Sequence, residues 1–527
     1  MNKEVEILKK YLENNEYKIA EEYAINFIKK YPDHYIPYLM HGICCMSLYK
    51  YAEAKKSFLN GIKIKPNDFA LNNNLLVVLN SLEEYQEIDQ YLAKAKLIEP
   101  ENPYPLIQEG LLQMKKREFL KAQLLFERCI VLFKEKNIPF NTTPINTYYC
   151  ESLIANLNFE KLNKFYIETQ KKEFDPELFY LISGINKFEI DDTTIKEIDA
   201  KYKNKKFNNL YQKTFFQSGV YFGLARFWEK KDKIKSEHYY HNGNDIIKSF
   251  QRFNLFAIQK IMRKSMDIFL NLKKDINKIN YHEESGKNLI FITGMPRSGT
   301  TLVESIVASN EDVFSGGEMS SLYDQLTEYV ANCDISDINF TKFGEIVNAY
   351  YKKVDYLKNE KNFFIDKLPE NYFFIGIINL IFPKAKIIHV SRDPWDNAIS
   401  LYKQRYIRNV HYSSEFFSIA VQLANHQKMI EFWKSNLSQD QLKKVKFIEY
   451  EEVIKNYSNF KKSILDFCEI DIKKSINREK FYSNTASMNQ VRSEITDKSL
   501  KKEDFFDYKD QFESDLQDQL IYWKNKV

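Results

Sequence analysis

A 34-residue period in the first 136 residues constrains the fold of this chain more than any other feature. Pro32, Pro66 and Pro100 follow one another at this interval. Aromatic residues keep the same interval, at Tyr17, Tyr51, Tyr85 and Phe119. Since different residue types share one register, we expect each unit to be one supersecondary element that buries its apolar face against the next unit.

The residues inside one unit indicate a pair of antiparallel helices. In the second unit, Gly42 and Ala54 are small enough for close helix approach, Phe58 fills the groove between the helices, and Pro66 ends the second helix. This pattern resembles the tetratricopeptide repeat (TPR). The four predicted units are 1–34, 35–68, 69–102 and 103–136. The third unit is degenerate, with Leu76 and Ile88 at the positions of the small residues.

Residues 137–280 carry weaker helical signals. Pro139 and Pro144 interrupt the repeat pattern, and helical periodicity resumes after them. The stretch 222–244 looks like one further repeat-like hairpin. The segment 271–288 is polar and rich in lysine, which favours a linker. We therefore predict a further helical, partly repeat-like region that ends in a linker at about residue 280.

A strand, a glycine-bounded loop and a helix follow one another at the start of the second half. The apolar run 289–293 predicts a buried parallel strand, and apolar residues recur at helical spacing after residue 301. The loop would direct backbone N–H groups toward an anion at the helix N-terminus. Gly294 and Gly299 have P-loop spacing, but Thr300 replaces the P-loop lysine. Without that lysine, a P-loop kinase is disfavoured.

The sequence of this loop, Pro296-Arg297-Ser298-Gly299-Thr300-Thr301, resembles the 5′-phosphosulfate loop of sulfotransferases that use PAPS (3′-phosphoadenosine-5′-phosphosulfate). The likeness is to the variant of the tyrosylprotein sulfotransferases and related bacterial enzymes. It implies an α/β P-loop-type domain with a mostly parallel sheet at 287–527. The residues that would grip the phosphosulfate end of PAPS are Arg297, Ser298, Gly299, Thr300 and Thr301.

A second strand-to-helix junction lies at residues 386–401. The apolar strand 386–390 leads into Arg392, Asp393 and Pro394, and the last two are typical of a helix start. A guanidinium at the strand end and a hydroxyl two turns into the helix could hold one phosphate. By the same resemblance, Arg392 and Ser400 match the 3′-phosphate site, which would select PAPS over ATP.

The resemblance also assigns candidate catalytic groups. Sulfuryl transfer needs a general base and cations around the migrating group, and it requires no metal. Glu318 is the expected base, and Lys367 and Arg297 would stabilise the transferring group. Near the C-terminus, further contacts to the nucleotide are expected from Ser487, Gln490 and Arg492.

Composition limits the other classes of function. The 77 Lys and Arg residues exceed the 72 Asp and Glu residues by only five, so no general nucleic-acid binding is expected. The six cysteines show no zinc or disulfide spacing, and we expect reduced, mostly buried thiols. The first residues are charged, and no apolar run approaches the length of a membrane span. We expect a soluble, cytoplasmic protein.

The sequence therefore predicts a multidomain sulfotransferase with an all-α TPR-like solenoid in front. It would transfer a sulfuryl group from PAPS to an acceptor hydroxyl, and the repeats would form a scaffold for a protein or peptide. A protein tyrosine is one candidate acceptor, and a glycan, a lipid or a small molecule is the alternative. A catalytically inactive TPR adaptor is a further alternative.

Overall fold

The fold is given by a computed structural model of the chain. It describes residues 1–524 except for 139–143, 173, 186–187, 189–194, 196–197, 199–201, 203–205, 208, 252, 276–283, 408–409 and 475–504. The chain divides into two compact units. The N-terminal unit comprises residues 1–162 and 352–357, and the C-terminal unit comprises residues 163–351 and 358–527.

Helix pairs build the N-terminal unit, in agreement with the predicted helical repeat. The eight helices of the first 136 residues are α1 (Asn2–Glu13), α2 (Tyr17–Lys30), α3 (Tyr35–Ser47), α4 (Tyr51–Ile64), α5 (Phe69–Ser81), α6 (Tyr85–Ile98), α7 (Tyr104–Lys115) and α8 (Phe119–Glu135). Helix α9 (Ile145–Ala155) follows in this unit, and the next helix, α10 (Phe159–Lys172), has most of its residues in the C-terminal unit. Each of the four predicted units thus contains two helices.

Close packing explains the small residues of the repeats. A Cβ atom added to Gly42 would overlap the ring of Phe58, and one added to Gly110 would overlap the ring of Phe126. Both rings are fully buried. The glycine therefore makes room for the aromatic side chain of the facing helix, as the sequence predicts for the second unit.

More helices open the C-terminal unit. They are α11 (Pro176–Ser183), α12 (Leu210–Trp228), α13 (Lys233–Phe250) and α14 (Leu255–Lys274). Side chains of Asp175, Asn209 and Asp232 accept hydrogen bonds at the N-termini of the first three. Helices α12 and α13 contain the predicted repeat-like hairpin, whereas α14 extends into the segment predicted as a linker.

A five-stranded parallel sheet forms the centre of the rest of the C-terminal unit. Its strands are β1 (Leu289–Gly294), β2 (Val313–Ser315), β3 (Phe363–Asp366), β4 (Lys386–Ser391) and β5 (Val445–Glu449), in the order β2-β3-β1-β4-β5. All four neighbouring pairs are parallel. The central strand β1 is buried along its whole length, which confirms the buried parallel strand predicted there.

Helices connect these strands and cover the sheet. They are α15 (Thr300–Val307), α16 (Ser321–Asn332), α17 (Phe340–Lys358), α18 (Ile375–Ile381), α19 (Pro394–Tyr402), α20 (Phe416–Asn436), α21 (Gln439–Leu442), α22 (Tyr450–Lys455), α23 (Tyr457–Phe467) and α24 (Lys509–Lys524). Short 3₁₀ helices occur at Pro369–Phe374, Ile472–Lys474 and Phe506–Tyr508. Among the described residues, no helix combines the length and the apolar composition needed to cross a bilayer.

Candidate active site

The glycine-bounded loop lies at the carboxyl end of the central strand. It leaves β1 and enters the N-terminus of α15, at the edge of the sheet where parallel α/β folds bind ligands. Gly299 has a φ of 108°, and a Cβ atom at this position would overlap the ring of Tyr450. Arg297 also adopts a left-handed φ, of 70°. Strained backbone of this kind is concentrated at functional sites.

The polar side chains of the loop are buried. Thr300 and Thr301 lie in the first turn of α15, with exposed fractions of 3% and 4%. The Ser298 hydroxyl is buried and has no hydrogen-bond partner among the described residues. A buried polar atom without a partner is costly unless a ligand satisfies it. The orphaned hydroxyl and the helix N-terminus both fit an anionic group such as phosphosulfate.

The loop contacts the second predicted motif directly. The Arg297 side chain is buried, and its Nε donates to Ser400 Oγ at 3.1 Å. Arg392 Nη1 donates to the Arg297 carbonyl oxygen at 3.3 Å. Burial lowers the pKa of Arg297, and the charges of Arg392 and Arg226 lower it further. The structure thus gathers Arg297, Arg392 and Ser400 at one place.

Strand β4 and helix α19 position these groups. Gly294 pairs with Val390 in the sheet, so Arg392 follows β4 at the same edge as the loop. Asp393 accepts a hydrogen bond from the backbone of Asp396, which confirms its predicted role as the N-cap of α19. The Arg392 guanidinium lies 4.6 Å from the centre of the Tyr450 ring.

Glu318 and Lys367 form an ion pair at the same edge of the sheet. Lys367 directly follows β3 and is fully buried, whereas 42% of the Glu318 side chain is exposed. Lys367 Nζ also lies 3.8 Å from Oε2 of the buried Glu304, whose other oxygen accepts from Ser315 Oγ at 2.5 Å. A backbone hydrogen bond of 2.9 Å from Lys367 to Gly317 fixes the turn that carries Glu318.

Glu370 and Tyr406 belong to this site, and sequence reasoning missed both. Burial and the charge of Glu318 raise the pKa of Glu370 to about 7. Burial raises the pKa of the Tyr406 phenol, while the positive charge of Arg297 opposes this and Glu318 and Glu370 reinforce it. The phenol therefore lies within electrostatic reach of both the arginine and the two carboxylates. Glu370 could have been predicted from the sequence, because it follows the candidate catalytic residue Lys367 by three positions. Tyr406 lies in no recognisable motif and could not.

The three nucleotide contacts that were predicted near the C-terminus lie outside the described residues. Ser487, Gln490 and Arg492 belong to the segment 475–504, which the structure does not describe. In the described ranges, one group of three His, Cys, Asp or Glu side chains could share a metal ion, and it consists of Glu21, His41 and Cys45 in the repeats.

Residues 289–474 match the model of the sulfotransferase family. This segment contains the phosphate-type loop, Glu318, Lys367, Arg392 and Ser400. The fold is therefore a parallel α/β domain whose loop after the central strand has the features of an anion site. More particularly, residues 289–474 are similar to the sulfotransferase family, and they follow TPR-like helical repeats.

The chain is also similar to two curated proteins. The chain is 25% identical over 292 residues to an uncharacterized protein of Aquifex aeolicus (strain VF5), covering 52% of this chain and 38% of that protein. It is 31% identical over 115 residues to a putative protein-tyrosine sulfotransferase of Caenorhabditis briggsae, covering 20% of this chain and 40% of that protein. The chain thus spans about two fifths of the length of these curated relatives.

The chain is also similar to one solved sulfotransferase structure. The sulfotransferase domain from the Synechococcus PCC 7002 olefin synthase is 17% identical, covers 45% of this chain and 97% of its own, and has a TM-score of 0.28.

Proposed function

We propose that this protein transfers a sulfuryl group from PAPS to an acceptor hydroxyl, and that a protein tyrosine is the first acceptor to test. The observation that carries this proposal is the arrangement at one edge of the sheet. Arg297, Arg392 and Ser400 meet beside the anion loop, and the Lys367–Glu318 pair lies at the end of the neighbouring strand. The proposed domains are TPR-like repeats at 1–136, a helical region at 137–280 and the sulfotransferase domain at 287–527.

The proposed contacts to PAPS follow from this arrangement. The phosphosulfate end would bind to the loop through Arg297, Ser298, Gly299, Thr300 and Thr301. Arg392 and Ser400 would hold the 3′-phosphate, for which a guanidinium and a hydroxyl are suitable partners. Ser487, Gln490 and Arg492 are proposed as further nucleotide contacts on the basis of their motif alone.

The catalytic roles rest on charge and exposure. PAPS supplies an activated sulfuryl group, whose bond to the 5′-phosphate breaks as the acceptor oxygen bonds to sulfur. Glu318 is exposed and anionic in its pair with Lys367, so it can accept the proton of the acceptor hydroxyl. Lys367 and Arg297 would stabilise the negative charge that develops on the leaving phosphate.

The proposed acceptor is a tyrosine of a protein. The name of the Caenorhabditis briggsae relative favours tyrosine in a protein, over a short alignment. TPR-like helix pairs form extended surfaces that can bind peptides, so the repeats are proposed as a scaffold for a protein acceptor or partner. A glycan, a lipid or a small molecule is the alternative acceptor.

Binding of the product nucleotide tests the donor site. Calorimetry should show that 3′-phosphoadenosine 5′-phosphate (PAP) binds at least about 100-fold more tightly than AMP, because AMP leaves Arg392 and Ser400 without the 3′-phosphate. Equal affinities would contradict the assignment of the 3′-phosphate site.

Transfer of label tests the reaction and the acceptor. The full-length protein is incubated with radiolabelled PAPS and, separately, a tyrosine peptide, a glycan mixture and a lipid extract. Label on the peptide supports the tyrosine acceptor, and label on another class replaces it. Tight PAP binding without transfer to any class would favour the inactive adaptor.

A further inference from the structure

Three side chains with different metal-binding atoms come together in the N-terminal unit, and none of them belongs to the candidate active site. Glu21 lies on α2, and His41 and Cys45 lie about one turn apart on α3. Cys45 Sγ is 3.8 Å from Glu21 Oε1 and 3.6 Å from His41 Nε2. The ligand atoms of all three side chains lie within 4.8 Å of one another.

These separations are close to those of ligands that share one tetrahedral zinc ion. Zinc binds sulfur at about 2.3 Å and nitrogen or oxygen at about 2.0–2.2 Å, so the sulfur lies about 3.5–3.7 Å from each of the other ligand atoms. The measured distances of 3.6 and 3.8 Å from the Cys45 sulfur therefore need only a small adjustment of the side chains.

A fourth side chain holds the histidine ring. Nδ1 of His41 lies 2.5 Å from Oγ of Ser57 on α4, and Ser57 is itself buried. A hydrogen bond donated by Nδ1 to this hydroxyl leaves the lone pair on Nε2, which is the ring nitrogen nearer to the Cys45 sulfur. Histidines that bind metals in proteins almost always have their other ring nitrogen fixed in this way.

Burial and charge also suit a divalent ion. Cys45 is fully buried, whereas Glu21 and His41 are half-buried, so the cluster is open on the side of the carboxylate and the imidazole. A thiolate and a carboxylate together supply two negative charges, which match the charge of the ion. The sulfur ligand favours zinc over magnesium and calcium, because those two ions prefer oxygen ligands.

Lys50 competes for the carboxylate of this cluster. Its Nζ lies 2.7 Å from both oxygens of Glu21, and 47% of its side chain is exposed. An exposed ion pair contributes little to stability, so a zinc ion that also gains a sulfur and a nitrogen ligand can displace the ammonium group. Removal of Lys50 should therefore strengthen metal binding.

We propose that Glu21, His41 and Cys45 form a zinc site in which a water molecule fills the fourth position. Zinc takes the place of the thiol proton of Cys45, which passes to solvent. Glu21 belongs to the first predicted repeat unit and the other two ligands belong to the second, so the ion joins α2 to α3 and stabilises the packing of these two units. The zinc site does not depend on the use of PAPS.

Titration with cobalt and zinc tests the site in the full-length protein after a chelator has removed metal ions. One equivalent of Co²⁺ should produce the charge-transfer absorption of a thiolate–cobalt bond, and excess Zn²⁺ should abolish it. Zinc should also raise the melting temperature of the wild type. Cys45→Ser should lack the absorption and bind zinc at least about 100-fold more weakly, since even the hydrogen-bond partners of metal ligands typically contribute 10- to 100-fold.

Two further variants separate metal binding from folding. Cys129→Ser is the matched control, because Cys129 is also buried in the repeats and its thiol donates to the Pro103 carbonyl oxygen at 3.4 Å. This control should keep the absorption and the zinc affinity of the wild type. Lys50→Gln should bind zinc about two- to fivefold more tightly, because it removes an exposed competing ion pair. A misfolded variant could not show such a gain.

Three results would overturn the proposal. The first is a wild type without the charge-transfer absorption, and the second is a Cys45→Ser variant that keeps it. The third is equal zinc affinity in the wild type, Cys45→Ser and Glu21→Gln, which would show that an adventitious ion binds elsewhere. Loss of the absorption in Cys45→Ser together with tighter zinc binding in Lys50→Gln would support the site.

Discussion

The two compact units differ in how their sequences specify their structures. In the repeats of the N-terminal unit, the packing contacts join residues 16 positions apart, such as Gly42 with Phe58 and Gly110 with Phe126, and the pattern recurs. In the C-terminal unit, the contact between Arg297 and Ser400 joins residues 103 positions apart. Local, repeated contacts can be predicted from the sequence, whereas the contacts of a site that is assembled from distant segments can be identified only in the folded structure. This contrast predicts that changes in the first unit alter stability and that changes at the site alter function.

The largest expected effect is the loss of turnover on replacing Glu318. Glu318→Gln keeps the size and the hydrogen-bonding reach of the side chain but removes its capacity to accept a proton. We expect kcat to fall about 1,000-fold, within the range for the loss of a general base. PAP affinity measured by calorimetry should change by less than about threefold.

Glu311→Gln is the matched control for this substitution. Glu311 is an exposed carboxylate before the start of β2, whereas Glu318 and Lys367 follow the ends of β2 and β3. It should retain wild-type turnover. Substantial activity in Glu318→Gln would mean that another group, of which Glu370 is the nearest candidate, removes the proton.

A smaller effect is expected from Gly299→Ala in the anion loop. The added methyl group would meet the Tyr450 ring, and alanine would have to adopt a φ of 108°. We expect PAP affinity to fall about 10- to 100-fold because the backbone N–H groups of the loop move away from the phosphate. Unchanged PAP affinity with a normal melting temperature would place the nucleotide elsewhere.

The corresponding change in the repeats should affect stability alone. Gly110→Ala places a methyl group against the buried Phe126 ring, and overpacking of this kind costs about 1–3 kcal/mol. Urea unfolding followed by circular dichroism should show the loss, while PAP affinity stays at the wild-type value. Leu97→Ala removes a side chain that is 82% exposed and should change neither quantity. A fall in PAP affinity with Gly110→Ala would break the contrast between the two units.

The extent of successful prediction follows the same contrast. The 34-residue period predicts the helix pairs, and the apolar runs predict the strands β1 and β4, because burial on both faces leaves a continuous apolar segment. The motifs also placed Arg297, Arg392 and Ser400, which the fold brings together. Tyr406 could not be found in this way, since it lies in no recognisable motif and comes within electrostatic reach of Arg297 and Glu370 only through the fold.

The smallest expected effect is the dependence of stability on pH at Glu370. Burial and Glu318 raise the pKa of this carboxyl from 4.5 to about 7. Between these values the folded protein keeps a proton that the unfolded chain releases, so the contribution of Glu370 to stability declines as the pH rises from about 4.5 to about 7.

Glu370→Gln cannot ionise and should be more stable than the wild type at pH 8 but not at pH 5. The expected gain is on the order of 1 kcal/mol, below the full equivalent of the shift, because the side chain keeps some contact with water. Melting temperatures of both proteins from pH 5 to pH 8, with Glu311→Gln as the control, measure this difference. Parallel curves over the whole range would show that Glu370 and Glu318 do not share one enclosed site.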